Sequence, residues 1–138
     1  MAARESHADD CALLIVGAGM AGLNALAVAT RYLRPTDKVI LVDRQSASGG
    51  MWQQAYDYVR LHQPHPVFTA GDIPWNAGLP REHLAHKREV LAHVARCLDV
   101  LRDKVALDER YGWEYVAHRE VEDGRGWLAE VDIRPCGG

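Results

Sequence analysis

The stretch GAGMAG, from Gly17 to Gly22, has the spacing G-x-G-x-x-G and lies between two different hydrophobic patterns. The run CALLIV before it is short and uncharged, which predicts a strand buried on both faces. The run MAGLNALAVATRYL, which begins inside GAGMAG, places apolar residues at helical spacing. The later run KVILVD is a second strand-like pattern. A fingerprint that follows one strand, opens a helix and precedes another strand predicts a dinucleotide-binding β-α-β unit.

Each glycine of the fingerprint has its own physical role in this interpretation. Gly17 permits a tight turn, Gly19 lets a pyrophosphate approach the backbone, and Gly22 lets the helix pack closely on the strand. Met20 and Ala21 lie at the helix N-terminus, where unpaired N–H groups and the positive end of the dipole favour phosphates. The alternative is a glycine-rich turn that only packs a helix against a sheet.

Asp43 ends the second predicted strand, 21 residues after Gly22. A carboxylate there can accept hydrogen bonds from ribose hydroxyls and would repel a 2′-phosphate, so the site should prefer FAD or NAD to NADP. The alternative is a turn residue at the end of a strand. Arg44 could lie over an adenine or be solvated, and both interpretations remain open.

Downstream, SGGMWQQAYDYVRLHQPH and FTAGDIPW resemble the flavin-dependent monooxygenase family, including Baeyer–Villiger-type enzymes. The resemblance runs from about Leu13 to about Ile133 and also includes GAGMAG and Asp43. It implies that the fingerprint binds the ADP half of FAD and that the Gly49–Trp52 turn lies beside the cofactor. It also implies NADPH as the reductant.

The residues of this segment are chemically suited to a flavin. Gly50 frees the backbone for a close approach, Met51 lies in the same turn, and Trp52 can cover a ring system. His62 and Gln63 can donate hydrogen bonds to polar flavin atoms. Ordinary core or surface roles for Trp52, His62 and Gln63 are the alternatives.

The rest of the chain predicts a helix, a third strand and a hairpin. The helix has an apolar stripe, with His86 and His93 expected on its polar face and therefore no metal site. KVALDERY predicts a third parallel strand, and the segment 113–135 predicts a hairpin whose turn is Asp123–Gly126. The expected stripe consists of Leu84, Leu91, Val94, Leu98 and Leu101; the expected buried face of the last strand consists of Trp127, Ala129, Val131 and Ile133.

These elements predict an α/β fold: a Rossmann-like FAD/NAD(P)-binding β-α-β unit with a parallel sheet plus an antiparallel β-meander. We assign residues 1–10 to a tail and 11–138 to a partial FAD-binding domain. Family members continue with a further strand and a second fingerprint for NADPH, and this sequence contains no second G-x-G-x-x-G. We therefore expect an apparently truncated domain without an NADPH site, which self-associates through a sheet edge or needs a missing downstream segment.

Composition narrows the partners and the compartment. The net charge is −3 without a basic stripe, which argues against nucleic acid. The uncharged span from Cys11 to Thr30 follows an acidic tail and contains glycines and Asn24, which argues against a membrane segment. The three distant cysteines, without a C-x-x-C pair, predict a cytoplasmic protein with reduced thiols and argue against disulfide reductase chemistry.

The functional hypothesis is an FAD-binding domain or fragment of a flavin-dependent, NAD(P)H-using monooxygenase or oxidoreductase. The NAD-binding half of a dehydrogenase and a non-catalytic nucleotide-binding module are the alternatives. Whether this chain alone is an enzyme stays open, because no residue can be assigned as a catalytic acid or nucleophile.

Overall fold

A computed structural model describes residues 9–76, 78–122 and 127–137. The predicted turn Asp123–Gly126 and the first eight residues of the predicted tail lie outside the described residues. The strands are β1 (Leu13–Val16), β2 (Lys38–Asp43), β3 (Ala106–Tyr111), β4 (Trp113–Glu122) and β5 (Trp127–Pro135). The α-helices are α1 (Met20–Ala29) and α2 (Lys87–Arg102), and two short 3-10 helices span Gly50–Gln53 and His65–Val67.

The predicted parallel sheet is confirmed, with the strand order β1-β2-β3. Leu13 pairs with Val39, and Lys38 pairs with Ala106. The central strand β2 is buried on both faces, as its apolar sequence predicts. The same expectation is wrong for β1, where Val16 is 55% exposed, because β1 has a sheet neighbour on one side only within the described ranges.

One hydrophobic core joins both α-helices to the sheet. From the sheet, Ile15, Val39 and Leu41 enter this core. Helix α1 adds Leu23 and Leu26, and α2 adds the buried side chains Val90, Val94, Leu98 and Leu101. Because side chains alternate along a strand, the other face of β2 is formed by Ile40 and Val42, which are also buried. The core therefore fixes α1 and the turn before it against the end of the sheet.

The predicted stripe of α2 needs two corrections. Leu84 precedes the helix and is 40% exposed, so it does not belong to the stripe. His93 is 3% exposed and faces the core side, so its predicted place on a polar face is wrong. The reason is tertiary: the loop that carries Thr69 and Trp75 folds over this side of the helix and covers the imidazole.

Strands β4 and β5 form the predicted antiparallel hairpin as a separate two-stranded sheet. The register runs from Trp113 opposite Pro135 to Glu122 opposite Trp127, with an irregularity after Tyr115. The expected buried face is wrong, because Ala129 is exposed and Val131 and Ile133 are only half-buried; the Trp127 side chain lies outside the description. A lone hairpin cannot bury a face without a second layer.

Within the described ranges, none of the helices is both long and apolar enough to cross a membrane.

Candidate functional site

The first glycine turn joins β1 to α1. Gly17 has φ +105°, a left-handed conformation that favours glycine, and its N–H donates to Val42 O at 2.7 Å. A Cβ atom at Gly22 would lie 1.8 Å from Gly17 O, so α1 can start this close to the turn only without a side chain there. Both glycines therefore have the backbone roles that the fingerprint predicts.

The N-terminus of α1 leaves its first backbone donors available. The first hydrogen bond of the helix runs from Leu23 N–H to Gly19 O at 3.0 Å, so the N–H groups of Met20, Ala21 and Gly22 precede the helical ladder. Gly19, the N-cap, provides no side-chain cap, and the first turn contains no acidic residue. The positive end of the helix is thus not neutralised by its own side chains, as an anion site requires.

Asp43 lies beside this turn at the end of β2 and is 9% exposed. Its Oδ2 accepts the Ala18 N–H and its Oδ1 accepts the Gln45 N–H, both at 2.7 Å. Each carboxylate oxygen can accept a second hydrogen bond, so a ribose hydroxyl would have to share these atoms with the backbone. Arg44, the next residue, is exposed.

The second glycine turn packs directly against the first. Gly49 and Gly50 have φ values of +125° and +56°, and the Gly49 N–H donates to Ala18 O at 2.9 Å. A Cβ atom at Gly50 would lie 3.0 Å from Gly19 Cα, and one at Gly19 would lie 3.4 Å from Gly50 Cα. The structure therefore brings together two turns that are about thirty residues apart in the chain.

The remaining predicted site residues differ in their surroundings. Trp52 is half-buried on the hydrophobic core, with its ring edge-on to Phe68 at 6.0 Å, so it combines core packing with an exposed part. Met51 is 79% exposed. His62 and Gln63 are exposed, and their side chains make no hydrogen bond within the described part of the chain. Within the described ranges, no side-chain hydrogen bond therefore links His62 or Gln63 to the glycine turns.

Sequence reasoning missed two residues of this site, Ala18 and Gln45. The buried peptide of Ala18 uses both its N–H and its C=O to connect Asp43 with the second turn. The Gln45 side chain donates from Nε2 to Gly50 O at 3.0 Å. Neither residue type has a sequence signature for such a contact, although Gln45 lies only two residues after Asp43.

A second polar cluster surrounds His93. Thr69 donates its hydroxyl proton to Ile73 O at 2.5 Å, so the 2.8 Å contact with His93 requires donation from Nε2–H to Thr69 Oγ1. His93 Nδ1 is buried without a hydrogen-bond partner, and Trp75 stacks on the ring at 4.0 Å. Burial, assisted by the nearby Arg96 charge, lowers the pKa of His93 from 6.5 to about 4. The imidazole is therefore neutral near pH 7.

In the described ranges, the cysteines form no disulfide and the potential metal-binding side chains form no cluster. All three cysteines are free, with Cys97 buried and Cys11 and Cys136 exposed. No group of three histidine, cysteine, aspartate or glutamate side chains there could hold a metal ion.

Comparison with protein-family models finds no match for this chain. Two uncharacterized proteins, from Mycobacterium tuberculosis strain H37Rv and from Mycobacterium bovis, are each 32% identical over 90 residues. Each alignment covers 58% of this chain and 16% of the relative. This chain therefore matches about a sixth of the length of these curated relatives.

Solved structures match far more of this chain. A flavin-containing monooxygenase from Stenotrophomonas maltophilia has a TM-score of 0.63 at 19% identity, covering 90% of this chain and 34% of its own. This chain therefore shares its Rossmann-type fold with part of that flavin-containing monooxygenase. OTEMO, in a complex with FAD and NADP, has a TM-score of 0.64 at 24% identity, and the match covers 91% of this chain and 23% of OTEMO.

The same fold also occurs outside the monooxygenases. The bacillithiol disulfide reductase Bdr from Staphylococcus aureus has a TM-score of 0.66 at 12% identity, covering 88% of this chain and 34% of its own. These similarities establish the fold, whereas function depends on the residues of the site itself.

Proposed function

We propose that this chain binds FAD, as part of a flavin-dependent oxidoreductase of the monooxygenase type. The observation that carries the proposal is the direct contact of two glycine turns beside an uncapped helix N-terminus and the Asp43 carboxylate. Glycines that admit a close backbone approach, free N–H donors and a ribose acceptor are the parts that a dinucleotide needs. The FAD and NADP held by the similarly folded OTEMO support this choice of ligand.

The proposed cradle has a phosphate part and a ribose part. The N–H groups of Met20, Ala21 and Gly22 would receive the pyrophosphate, and Gly17 and Gly19 keep the turn open for it. Asp43 would accept hydrogen bonds from the adenosine ribose on its remaining lone pairs. This arrangement favours FAD or NAD over NADP, since a 2′-phosphate would meet a carboxylate.

The second turn would extend the site beyond the pyrophosphate. Gly50 and Met51 would lie along the flavin side of the ligand, and the exposed part of Trp52 would cover a ring. Arg44, His62 and Gln63 are exposed and available to contact the cofactor without being held in place for it. Bound FAD would supply the redox chemistry, while this chain binds and orients it.

This proposal assigns no NAD(P)H site to this chain. The sequence contains one glycine fingerprint, and the β-α-β unit that carries it is already assigned to FAD. We also place the protein in the cytoplasm, because the exposed thiols of Cys11 and Cys136 are unpaired.

The proposal is tested by titrating the purified chain with FAD, following flavin fluorescence, and competing with ADP, NAD and 2′-phospho-ADP. We expect ADP to displace FAD and 2′-phospho-ADP to compete about tenfold more weakly, because its extra phosphate is repelled by Asp43. Tighter binding of NAD than of FAD would favour the dehydrogenase alternative. Binding of none of the four ligands would overturn the proposal.

The variant Gly19→Val, compared with Ala25→Val on the exposed side of the same helix, separates the cradle from the helix. Valine at Gly19 would add methyl groups beyond a Cβ atom that would itself lie 3.4 Å from Gly50 Cα. We expect FAD affinity to fall at least about tenfold in Gly19→Val and to stay unchanged in Ala25→Val. Equal affinity in both variants would show that the turn is only structural.

A further inference from the structure

We propose that Gln45 is a positioning residue that holds the second glycine turn in place for the part of the ligand beyond the ribose. This inference rests on the proposed function, because it concerns the same site. Gln45 acts through Gly50, whose carbonyl accepts its Nε2–H at 3.0 Å, and not by direct contact with the ligand.

A closed ring of four hydrogen bonds connects the two turns through the end of β2. Asp43 Oδ2 accepts the Ala18 N–H, and Ala18 O accepts the Gly49 N–H at 2.9 Å. On the other side, Asp43 Oδ1 accepts the Gln45 N–H, and the Gln45 side chain reaches Gly50 O. Asp43 belongs to the buried strand β2, which anchors the ring. The second turn is therefore held at two successive residues, Gly49 through its N–H and Gly50 through its C=O.

The backbone of Gln45 is itself fixed from both sides. Its N–H donates to Asp43 at 2.7 Å, and its C=O accepts the Gly112 N–H at 3.0 Å. Asp43 ends β2 and Gly112 directly follows β3, so Gln45 is tied to the ends of these two neighbouring strands. A side chain that starts from a fixed backbone can transmit that position to the group it binds.

The position of Gly50 matters because the two turns have almost no free space between them. A Cβ atom at Gly50 would lie only 3.0 Å from Gly19 Cα, which is closer than side chains normally approach. Any displacement of Gly50 therefore changes the surface offered next to the fingerprint, together with the direction of Met51 and Trp52. The ribose acceptor Asp43, in contrast, is held by β2 and the Ala18 N–H whether or not the glutamine amide is present.

The chemistry of this contact requires a donor. Gly50 O can only accept, and the amide nitrogen of glutamine provides the proton. Glutamate has the same shape but would place a carboxylate oxygen against the carbonyl oxygen, and leucine would leave the carbonyl without this partner. Gln45→Glu and Gln45→Leu thus remove the same hydrogen bond in two different ways.

The experiment compares FAD and AMP binding to the purified chain in wild type, Gln45→Glu, Gln45→Leu and the control Gln54→Leu. Gln54 is an exposed glutamine at the end of the same turn. AMP reports on the ribose side, whereas FAD also needs the second turn. We expect both Gln45 variants to bind FAD about tenfold more weakly and AMP within about twofold of wild type, with Gln54→Leu unchanged.

Far-UV circular dichroism and thermal unfolding of each variant complete the test. Retained folding together with a selective loss of FAD affinity supports the positioning role. Equal losses for FAD and AMP, no loss for either, or loss of folding in both Gln45 variants would overturn it. If wild type itself binds no FAD, the proposed function fails first; if wild type binds FAD and the variants match it, only the role of Gln45 fails.

Discussion

The β-α-β unit and the β4–β5 hairpin are stabilised by different means. The β2 side chains from Val39 to Val42 are at most 3% exposed, whereas most hairpin side chains are exposed, and Leu128 is 47% exposed. The hairpin depends mainly on its backbone ladder, because exposed ion pairs such as Arg119–Glu130 contribute little to stability. The chain therefore concentrates its buried side chains in the unit that holds the glycine turns.

Shortening one leucine in each region should affect stability very differently. Leu41→Ala empties a site with no solvent exposure in the core, and we expect the free energy of unfolding to fall by about 4 kcal/mol. Leu128→Ala in the hairpin should change it by less than about 0.5 kcal/mol, because about half of the residue is already exposed and it lies outside the core. Chemical denaturation of both variants measures the difference, and similar losses would show that the hairpin is packed in solution.

Two glycine substitutions, with smaller expected losses of stability, separate the cost of steric overlap from the cost of an unusual backbone conformation. Gly22→Ala would place a Cβ atom 1.8 Å from Gly17 O, and we expect a loss of about 3 kcal/mol because backbone must move. Gly112, at the start of the hairpin, has φ +70° but open space around a Cβ atom. Gly112→Ala should therefore cost only about 1 kcal/mol, from conformation alone. Equal losses in denaturant midpoint would contradict this account of α1 packing.

The smallest of the three effects is a pH dependence that comes from α2. The unfolded chain binds a proton at His93 near pH 6.5, whereas the folded chain does so near pH 4. Stability contributed by neutral His93 is therefore present above pH 6.5 and is lost as the pH falls toward 4. We expect a loss of about 2 kcal/mol between about pH 7 and about pH 4.5.

Urea unfolding across this pH range measures the contribution of the buried histidine. His93→Gln should remove most of the pH dependence, whereas His118→Gln should keep it, because His118 is exposed in the hairpin. An unchanged pH dependence in His93→Gln would mean that other groups cause it.

Several features of the fold were predictable because they depend on local patterns. The apolar run of β2, the glycine spacing from Gly17 to Gly22 and the alternation in the hairpin each indicate an element without knowledge of its neighbours. The burial of His93 was not predicted, although Val90 and Cys97, three residues before it and four after it, lie on the same side of the helix. Its burial depends on Thr69 and Trp75, which lie in a loop that no periodicity aligns with α2.

The candidate site divides in the same way. Local sequence is enough to predict the β-α-β unit and the conformational freedom at Gly17, because these depend on side-chain size and spacing along a few residues. The packing of Gly19 against Gly50 and the links that Asp43, Ala18 and Gln45 form between the two turns become visible only in the folded chain. Such contacts depend on where β2 and β3 end relative to the first turn, and that position is set by packing of the whole core, which no local pattern encodes.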